Sequence, residues 1–312
     1  MTRLLVLRLS ALGDVIHTLP AVAALREQYD VSWVVEAPYR ELVEIVAGVR
    51  AIPVRLKKEP RSAFAAIRQM RGADVSIDFQ GLIKSAVLPW AARTKMRIGF
   101  DKQAIREKPA LLFTNEKVRV DTTKHVIEQN LQLAASLSGA PGSQPGERGH
   151  RAESPALQRE TRDWDAFPQT VPSDVTGKIV LLPGAGKPNK LWPVERFATL
   201  ARRIGSDALV VWGPGERERA ESIGARLAPP TNLRELAFVL QQARVVIGGD
   251  TGPLHLAAAL GTKVIGLYGP TNPRRNGPYG QLHNCVNHFD TTKWMESITV
   301  EEVMTILQRI RA

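Results

Sequence analysis

Residues 244–271, RVVIGGDTGPLHLAAALGTKVIGLYGPT, leave a chain few ways to fold. The apolar run RVVIGG ends in a Gly-Asp-Thr-Gly turn, Pro253 opens a short helix, Gly261 closes it, and KVIGLYG reads as a second buried strand. Such a unit brings backbone N–H groups and the positive end of a helix dipole to the C-terminal edge of a sheet, where phosphates bind. Asp250 and Thr251 fall at the strand end. Gly252 follows them, and His255 lies one helical turn after Thr251 on the same face. A local alternative stands beside this one. Asp, Thr and Gly are ordinary helix-start residues, and a histidine between Leu254 and Leu256 can simply pack.

The same alternation fills most of the chain. Strands are predicted at 3–9, 31–36 and 74–79, with a helix in VIHTLPAVAALREQY and further helices near 38–47, 60–71, 81–92 and 122–138. Periodicity is lost between Pro141 and Gly177, which reads as a surface excursion and linker. It resumes with strands at 178–184, 208–213, 244–249 and 263–269. These patterns imply an α/β fold of two domains, 1–170 and 171–312, each a parallel sheet with helices on both faces. A cleft between the C-terminal edges of the two sheets is where ligands are expected. Residues 299–311 read as a closing helix, capped by Thr299 and striped by Val300, Val303, Ile306 and Ile310.

Composition narrows the function. A single cysteine, Cys285, excludes an internal disulfide and the usual multi-cysteine zinc sites, as expected of a reducing cytoplasm. The six histidines lack metal-ligand spacing. Arg8 and Asp14 interrupt the apolar N-terminus, which reads as a first strand rather than a signal peptide. No run approaches the roughly 18 apolar residues of a membrane span, so any membrane contact would be peripheral. The formal charge of +11 and a pI of about 10.0 call for an anionic partner: nucleic acid, an acidic membrane surface or a phosphorylated substrate. Against nucleic acid, the basic stretch 50–71 carries Phe64 as its one aromatic residue and no nucleic-acid motif is recognisable.

Several residues could carry chemistry. Asp14 follows Gly13 at the start of the first helix, where it is either an N-cap or a carboxylate able to take a proton from a substrate hydroxyl. PGAGKPNKLWP fails as a Walker A loop, because Leu181 and Pro188 stand where Gly and Ser or Thr are needed. It fails as G-x-G-x-x-G at Asn189. What remains is Lys190, a point charge on a loop after a strand, either meeting phosphate or solvated. Glu216 in WGPGERERA is either a helix-start acid or a ribose contact. Residues 50–71 hold Arg50, Arg55, Lys57, Lys58, Arg61, Arg68 and Arg71 against Glu59, an imbalance that suits an anion-facing surface. Lys84 and Arg106 add positive charge near strand-to-helix junctions.

Together the segments SALGDVIHTLPA, DFQGLIKSA, QAIRE, KLWP, WGPGERERA, GDTGPLHLAAALG and YGPTNP resemble the ADP-heptose:lipopolysaccharide heptosyltransferases of glycosyltransferase family 9, closest to their heptosyltransferase I members. They run in family order across nearly the whole chain. The resemblance implies a GT-B fold of two Rossmann-like domains, acceptor on the first and donor on the second, with the final helix packing back towards the first. It implies inverting transfer of heptose from ADP-heptose to a Kdo residue of the lipopolysaccharide inner core, with no cofactor and no essential metal. Asp14 matches the general base. Lys190 matches the donor-phosphate lysine, Glu216 the ribose carboxylate, and Asp250, Thr251, Gly252 and His255 the donor turn. Lys84, Arg106 and His125 fall on acceptor-side positions, and Arg55, Lys57, Lys58 and Arg61 in the basic acceptor-facing region. Where relatives often carry hydroxyl residues, this chain has Ala185 and Gly186, leaving backbone N–H groups to hold phosphate. Expected partners are an ADP-sugar, anionic Kdo-lipid A and the anionic inner-membrane surface, with no nucleic acid and no obligate protein partner. The expected location is the cytoplasmic face of that membrane. The alternatives are another nucleotide sugar or acceptor position, or a noncatalytic nucleotide-sugar or nucleic-acid binder.

Overall fold

Short runs rich in Val, Ile and Leu with no polar face form strands that need cover on both sides. In the first half these are β1 (Thr2–Leu7), β2 (Tyr29–Glu36), β3 (Arg50–Val54), β4 (Val75–Asp78), β5 (Met96–Phe100) and β6 (Glu116–Val118), all paired in parallel in the order β3-β2-β1-β4-β5-β6. In the second they are β7 (Ile179–Leu182), β8 (Ala208–Val210), β9 (Arg226–Leu227), β10 (Val245–Gly249), β11 (Val264–Tyr268) and β12 (Cys285–Asn287), ordered β12-β11-β10-β7-β8-β9. Counted from each sheet's own first strand, the two orders are the same doubly wound Rossmann order. The structure is a computed structural model that describes residues 1–45, 49–138 and 173–311. The chain divides into two units, Met1–Ala156 and Leu157–Ala312. The boundary expected at 170, most of the irregular stretch 141–177 and the Asp163-Trp164-Asp165 triplet lie outside the described residues.

The first sheet carries α4 (Ser62–Met70) and α5 (Ile83–Ala91) side by side on one face, where Ala66, Met70, Leu88 and Ala92 pack on Leu5, Leu7, Val34 and Ile52. Alternation along β1 turns Leu4 and Val6 the other way; α2 (Leu19–Arg26) and α6 (Val126–Ala135) pack on each other. Each such buried Leu, Ile, Val or Met side chain contributes about 1.5–3 kcal/mol. VIHTLPAVAALREQY is not one helix. Its first two residues, Val15 and Ile16, end α1 (Leu12–Ile16), and the helix restarts as α2 at Leu19, because Pro20 has no N–H to continue the ladder and suits a first turn. Strand β3 escapes the sequence pattern because it contains Pro53, tolerated on an edge strand. α3 (Arg40–Ile45) precedes it.

In the second unit α7 (Val194–Ile204) and α12 (Val300–Arg311) cover one face of the sheet, and α9 (Leu233–Gln242) packs on α10 (Gly252–Ala259). Thr299 and Glu302 form the capping box of α12: Glu302 N–H donates to Thr299 Oγ1 at 3.2 Å and Thr299 N–H to Glu302 Oε2 at 2.7 Å. Val300, Val303 and Leu307 are buried with Trp192, Phe197 and Ile265. The amphipathic stripe of α12 is therefore accounted for within its own unit. The short helices α8 (Arg217–Glu221) and α11 (Pro273–Asn276) follow strand ends.

Candidate active site

At the C-terminal edge of the first sheet, the strand ends of β1 and β4 are stapled together. Gln80 Oε1 accepts from the N–H groups of Leu9 at 2.9 Å and Ser10 at 3.2 Å. Gln80 is itself fixed by Asp78, whose Oδ1 accepts from the N–H groups of Gln80 and Gly81 and whose Oδ2 accepts from Ser85 Oγ at 2.9 Å. Burial pushes Asp78 up to about 6, against those three donors. This frame aims Arg8. Its side chain is 2% exposed, donates to the carbonyl of Phe79 and places Nη2 2.7 Å from Asp14 Oδ1.

Asp14 sits in the first turn of α1 with a quarter of its side chain exposed. Arg106, from the loop after β5, donates one hydrogen bond to each Asp14 oxygen, both at 3.2 Å. Burial raises the pKa of Asp14, but the charges of Arg8 and Arg106 more than offset it and leave the carboxyl below its ordinary value. Burial brings the Arg8 guanidinium down to about 10 despite Asp14. Asp14 is thus ionised; it is the third residue of α1 rather than its N-cap, which is Ala11, and a hydrogen bond from the Ala11 backbone also lowers its pKa.

The other first-unit residues divide into two groups. Lys84 lies in the first turn of α5, whose Ile83 N–H donates to Glu107 Oε2 at 2.8 Å, so that Lys84 and Arg106 share one edge. His125 is buried rather than presented to solvent. Its Nδ1 accepts from Ile127 N–H at 3.2 Å to cap α6, and its ring stands edge-on against His17 at 5.6 Å, at the end of the helix that carries Asp14. Arg55, Lys57, Lys58 and Arg61 are all exposed on the turn between β3 and α4; Arg55 pairs with Glu59 at 3.2 Å. That exposed pair contributes little to stability.

In the second unit, Lys190 and His255 of the residues expected to meet the donor gather at Asp250. Its Oδ2 accepts from Lys190 Nζ at 2.6 Å, and Oδ1 lies 3.0 Å from His255 Nε2 and 2.9 Å from Asn276 Nδ2. Burial raises its pKa, while the hydrogen bond and charge of His255 and Lys190 carry it far below the usual carboxylate range. Thr251 precedes Gly252, the first residue of α10, yet its side chain makes no capping bond, and Oγ1 is buried with no hydrogen-bond partner among the described residues. Helix N–H groups and an uncommitted hydroxyl therefore converge at this end of α10.

Glu216 lies beneath the PGAGK loop. Its Oε2 accepts from Gly213 N–H at 2.8 Å, and its carboxyl fills the place of a side chain at Gly184, where a Cβ would stand 2.0 Å from Oε1. Gly186 is exposed, with nothing within 4 Å of an added Cβ. Arg219 fastens both ends of the loop, donating to the carbonyls of Pro183 at 3.0 Å and Trp192 at 2.5 Å. Arg8, Arg219 and Asn276 are the functional-edge residues that sequence reasoning passed over. For Arg8 a signal existed: a charge inside an apolar strand. Among the described residues no group of three or more His, Cys, Asp or Glu could hold a metal ion.

The family model of glycosyltransferase family 9 (heptosyltransferase) matches residues 63–303. The chain belongs to this family. Lipopolysaccharide heptosyltransferase 1 of Escherichia coli (strain K12) is 32% identical over 305 residues, covering 89% of this chain and 91% of that protein. Among solved structures, E. coli heptosyltransferase WaaC with ADP matches with a TM-score of 0.82 at 29% identity, covering 99% of this chain and 100% of that one. WaaC with ADP-2-deoxy-2-fluoro heptose matches with a TM-score of 0.79 at 28% identity and 99% coverage of both chains. This family 9 protein is a glycosyltransferase with the GT-B fold of two Rossmann-like units. A noncatalytic binder is set aside.

Proposed function

We propose that this glycosyltransferase moves L-glycero-D-manno-heptose from ADP-heptose to a Kdo residue of the lipopolysaccharide inner core, at the cytoplasmic face of the inner membrane, with inversion at the anomeric carbon. The observation that carries the reading is the Lys190–Asp250–His255 cluster at the head of α10, in a chain that matches an ADP-bound heptosyltransferase over its full length. The α10 N-terminus, Thr251 Oγ1 and the N–H groups around Gly186 would take the diphosphate. Lys190 would turn from Asp250 to the phosphates as negative charge develops on the departing ADP. Glu216, set under Gly184, would accept from the ribose hydroxyls. With these cations and dipoles the reaction needs no metal and no cofactor.

Asp14 would remove the proton from the acceptor hydroxyl. Clamped by two guanidiniums it is a weak base. The acceptor hydroxyl would take the place of an Arg106 contact, and losing that contact raises the basicity of Asp14 as the C–O bond forms. Arg106, Lys84 and the exposed Arg55, Lys57, Lys58 and Arg61 would meet the phosphates and carboxylates of Kdo-lipid A.

The test is ADP release from ADP-heptose with and without Kdo-lipid A, with chelator present. Release that depends on the acceptor, and a β-to-α or α-to-β change in the product sugar, is expected. Retained configuration, or release that stops with chelator, would sink the mechanism; binding of ADP without transfer would move the search to other sugars and acceptors.

A further inference from the structure

The outer layer of the first unit bears side chains that its fold does not use. α4 and α5 lie side by side, and α5 packs on the single 3-10 turn Lys108–Leu112. Their inward residues fill the core. Outward, Phe64 on α4 is 71% exposed, Ile83 and Trp90 on α5 are 40% and 52% exposed, and Leu112 on the turn is 81% exposed. Ile83 and Trp90 are two helical turns apart and so share a face, and the Trp90 ring stands edge-on to Phe113 at 5.5 Å. Neither helix nor the turn contains an acidic residue, whereas Arg68, Arg93, Lys95 and Lys108 lie exposed on or beside them.

We propose that this layer is the membrane-docking face of the protein, with Phe64, Trp90 and Leu112 seated at the headgroup–acyl boundary of an anionic bilayer and the four cations on its headgroups. The inference rests on the acceptor proposed above, which is anchored in a bilayer. The chemistry favours lipid over a protein partner. The exposed apolar side chains share this layer with cations and no acidic residue on its two helices or turn, a mix that an anionic lipid surface meets with headgroup charge and acyl chains together. Each cation held near an anionic leaflet adds to the attraction, and an interfacial Trp suits the headgroup level. The face also runs to the reacting edge. Ile83 at the head of α5 is bonded to Glu107, the neighbour of the Arg106 that clamps Asp14. A bilayer against this layer brings the headgroup zone to the loop that holds the carboxylate.

The experiment is co-sedimentation of the full chain with vesicles of phosphatidylethanolamine containing about one quarter phosphatidylglycerol, and with phosphatidylcholine vesicles. The wild type is compared with Phe64→Glu/Leu112→Glu and with Arg68→Gln/Lys95→Gln/Lys108→Gln. These side chains are exposed, so ADP binding and thermal midpoint confirm that each variant is folded. Both variants are expected to lose at least about tenfold in partition to the anionic vesicles, and the wild type to prefer them over phosphatidylcholine. Wild-type failure to bind, or variants that bind like it, overturns the proposal. So does a concentration-dependent dimer, seen by light scattering, that the Glu variant abolishes, because the face would then serve self-association. Transfer to detergent-dispersed Kdo-lipid A, run in parallel, separates this from the functional reading. Unchanged transfer by variants that have left the vesicles supports docking. Vesicle binding lost in the variants while the wild type transfers nothing supports docking and sinks the substrate.

Discussion

The two units share a strand order and each sets a carboxylate at the C-terminal edge of its sheet, but the surroundings make the two acids different objects. Asp14 is held by Arg8 and Arg106 and keeps a quarter of its side chain in solvent; Asp250 is 6% exposed and committed to Lys190, His255 and Asn276. Both are held ionised by nearby cations. The difference is reach. A carboxylate with an exposed edge and one replaceable arginine can meet a substrate, whereas one with every contact internal positions its neighbours. On the proposed mechanism the same topology supplies a reagent in one half and a strut in the other, decided by a few side chains rather than by fold.

Substitutions that treat the two acids alike should separate them. Asp14→Asn should lower turnover by about 10²- to 10⁴-fold and leave ADP affinity and thermal midpoint nearly unchanged; a matching loss of ADP affinity would make Asp14 a strut too. Asp250→Asn should do the reverse. It leaves the Lys190 charge without its partner and should cost on the order of 3 kcal/mol in urea unfolding, together with ADP affinity. Gly184→Ala sharpens the second half of the comparison. Its Cβ would collide with the Glu216 carboxyl, so that Glu216 must move, with a cost of about 1–3 kcal/mol that Glu216→Ala in the same chain relieves.

Smaller effects depend on pH. Arg106→Gln removes a charge that depresses Asp14, so the acidic limb of the rate profile should move to higher pH; a limb that stays in place would show that Arg106 does not govern the base. Asp78 supplies the weakest test. Its folded pKa of about 6 lies above the ordinary 3.8, so the native state holds its proton more tightly than the unfolded chain. The stability this contributes is fully present below about 3.8 and is lost as pH rises through about 6. The slope is at most about 1.4 kcal/mol per pH unit, readable by urea unfolding, and Asp78→Asn should flatten it.

The long buried strands and the turn before α10 were legible because apolar runs, glycine and proline act locally. Strands β5, β6, β9 and β12 were not read, being short or bearing charged ends such as Glu116 and Arg226. The motifs placed Asp14, Lys190 and Asp250 at the correct sheet edges. Their partnerships lay beyond local pattern. Arg106 and Asp14 are separated by 92 residues, and Gly184 reads as a plain loop glycine until Glu216 is seen beneath it. For His125 the motif position gave no measure of burial: the ring is buried and caps α6.

The double arginine clamp has one more consequence on the proposed reaction. An activated sugar bound beside a strong base is at risk from water, which is always present and reacts to no purpose. With Arg8 and Arg106 drawing on its negative charge, Asp14 is too weak a base to activate a stray water efficiently until a charge-assisted contact is lost, and a neutral water compensates poorly for that loss. An anionic acceptor can draw Arg106 to itself. Fidelity against hydrolysis is then set by whether the arriving molecule carries enough negative charge to disarm the guard.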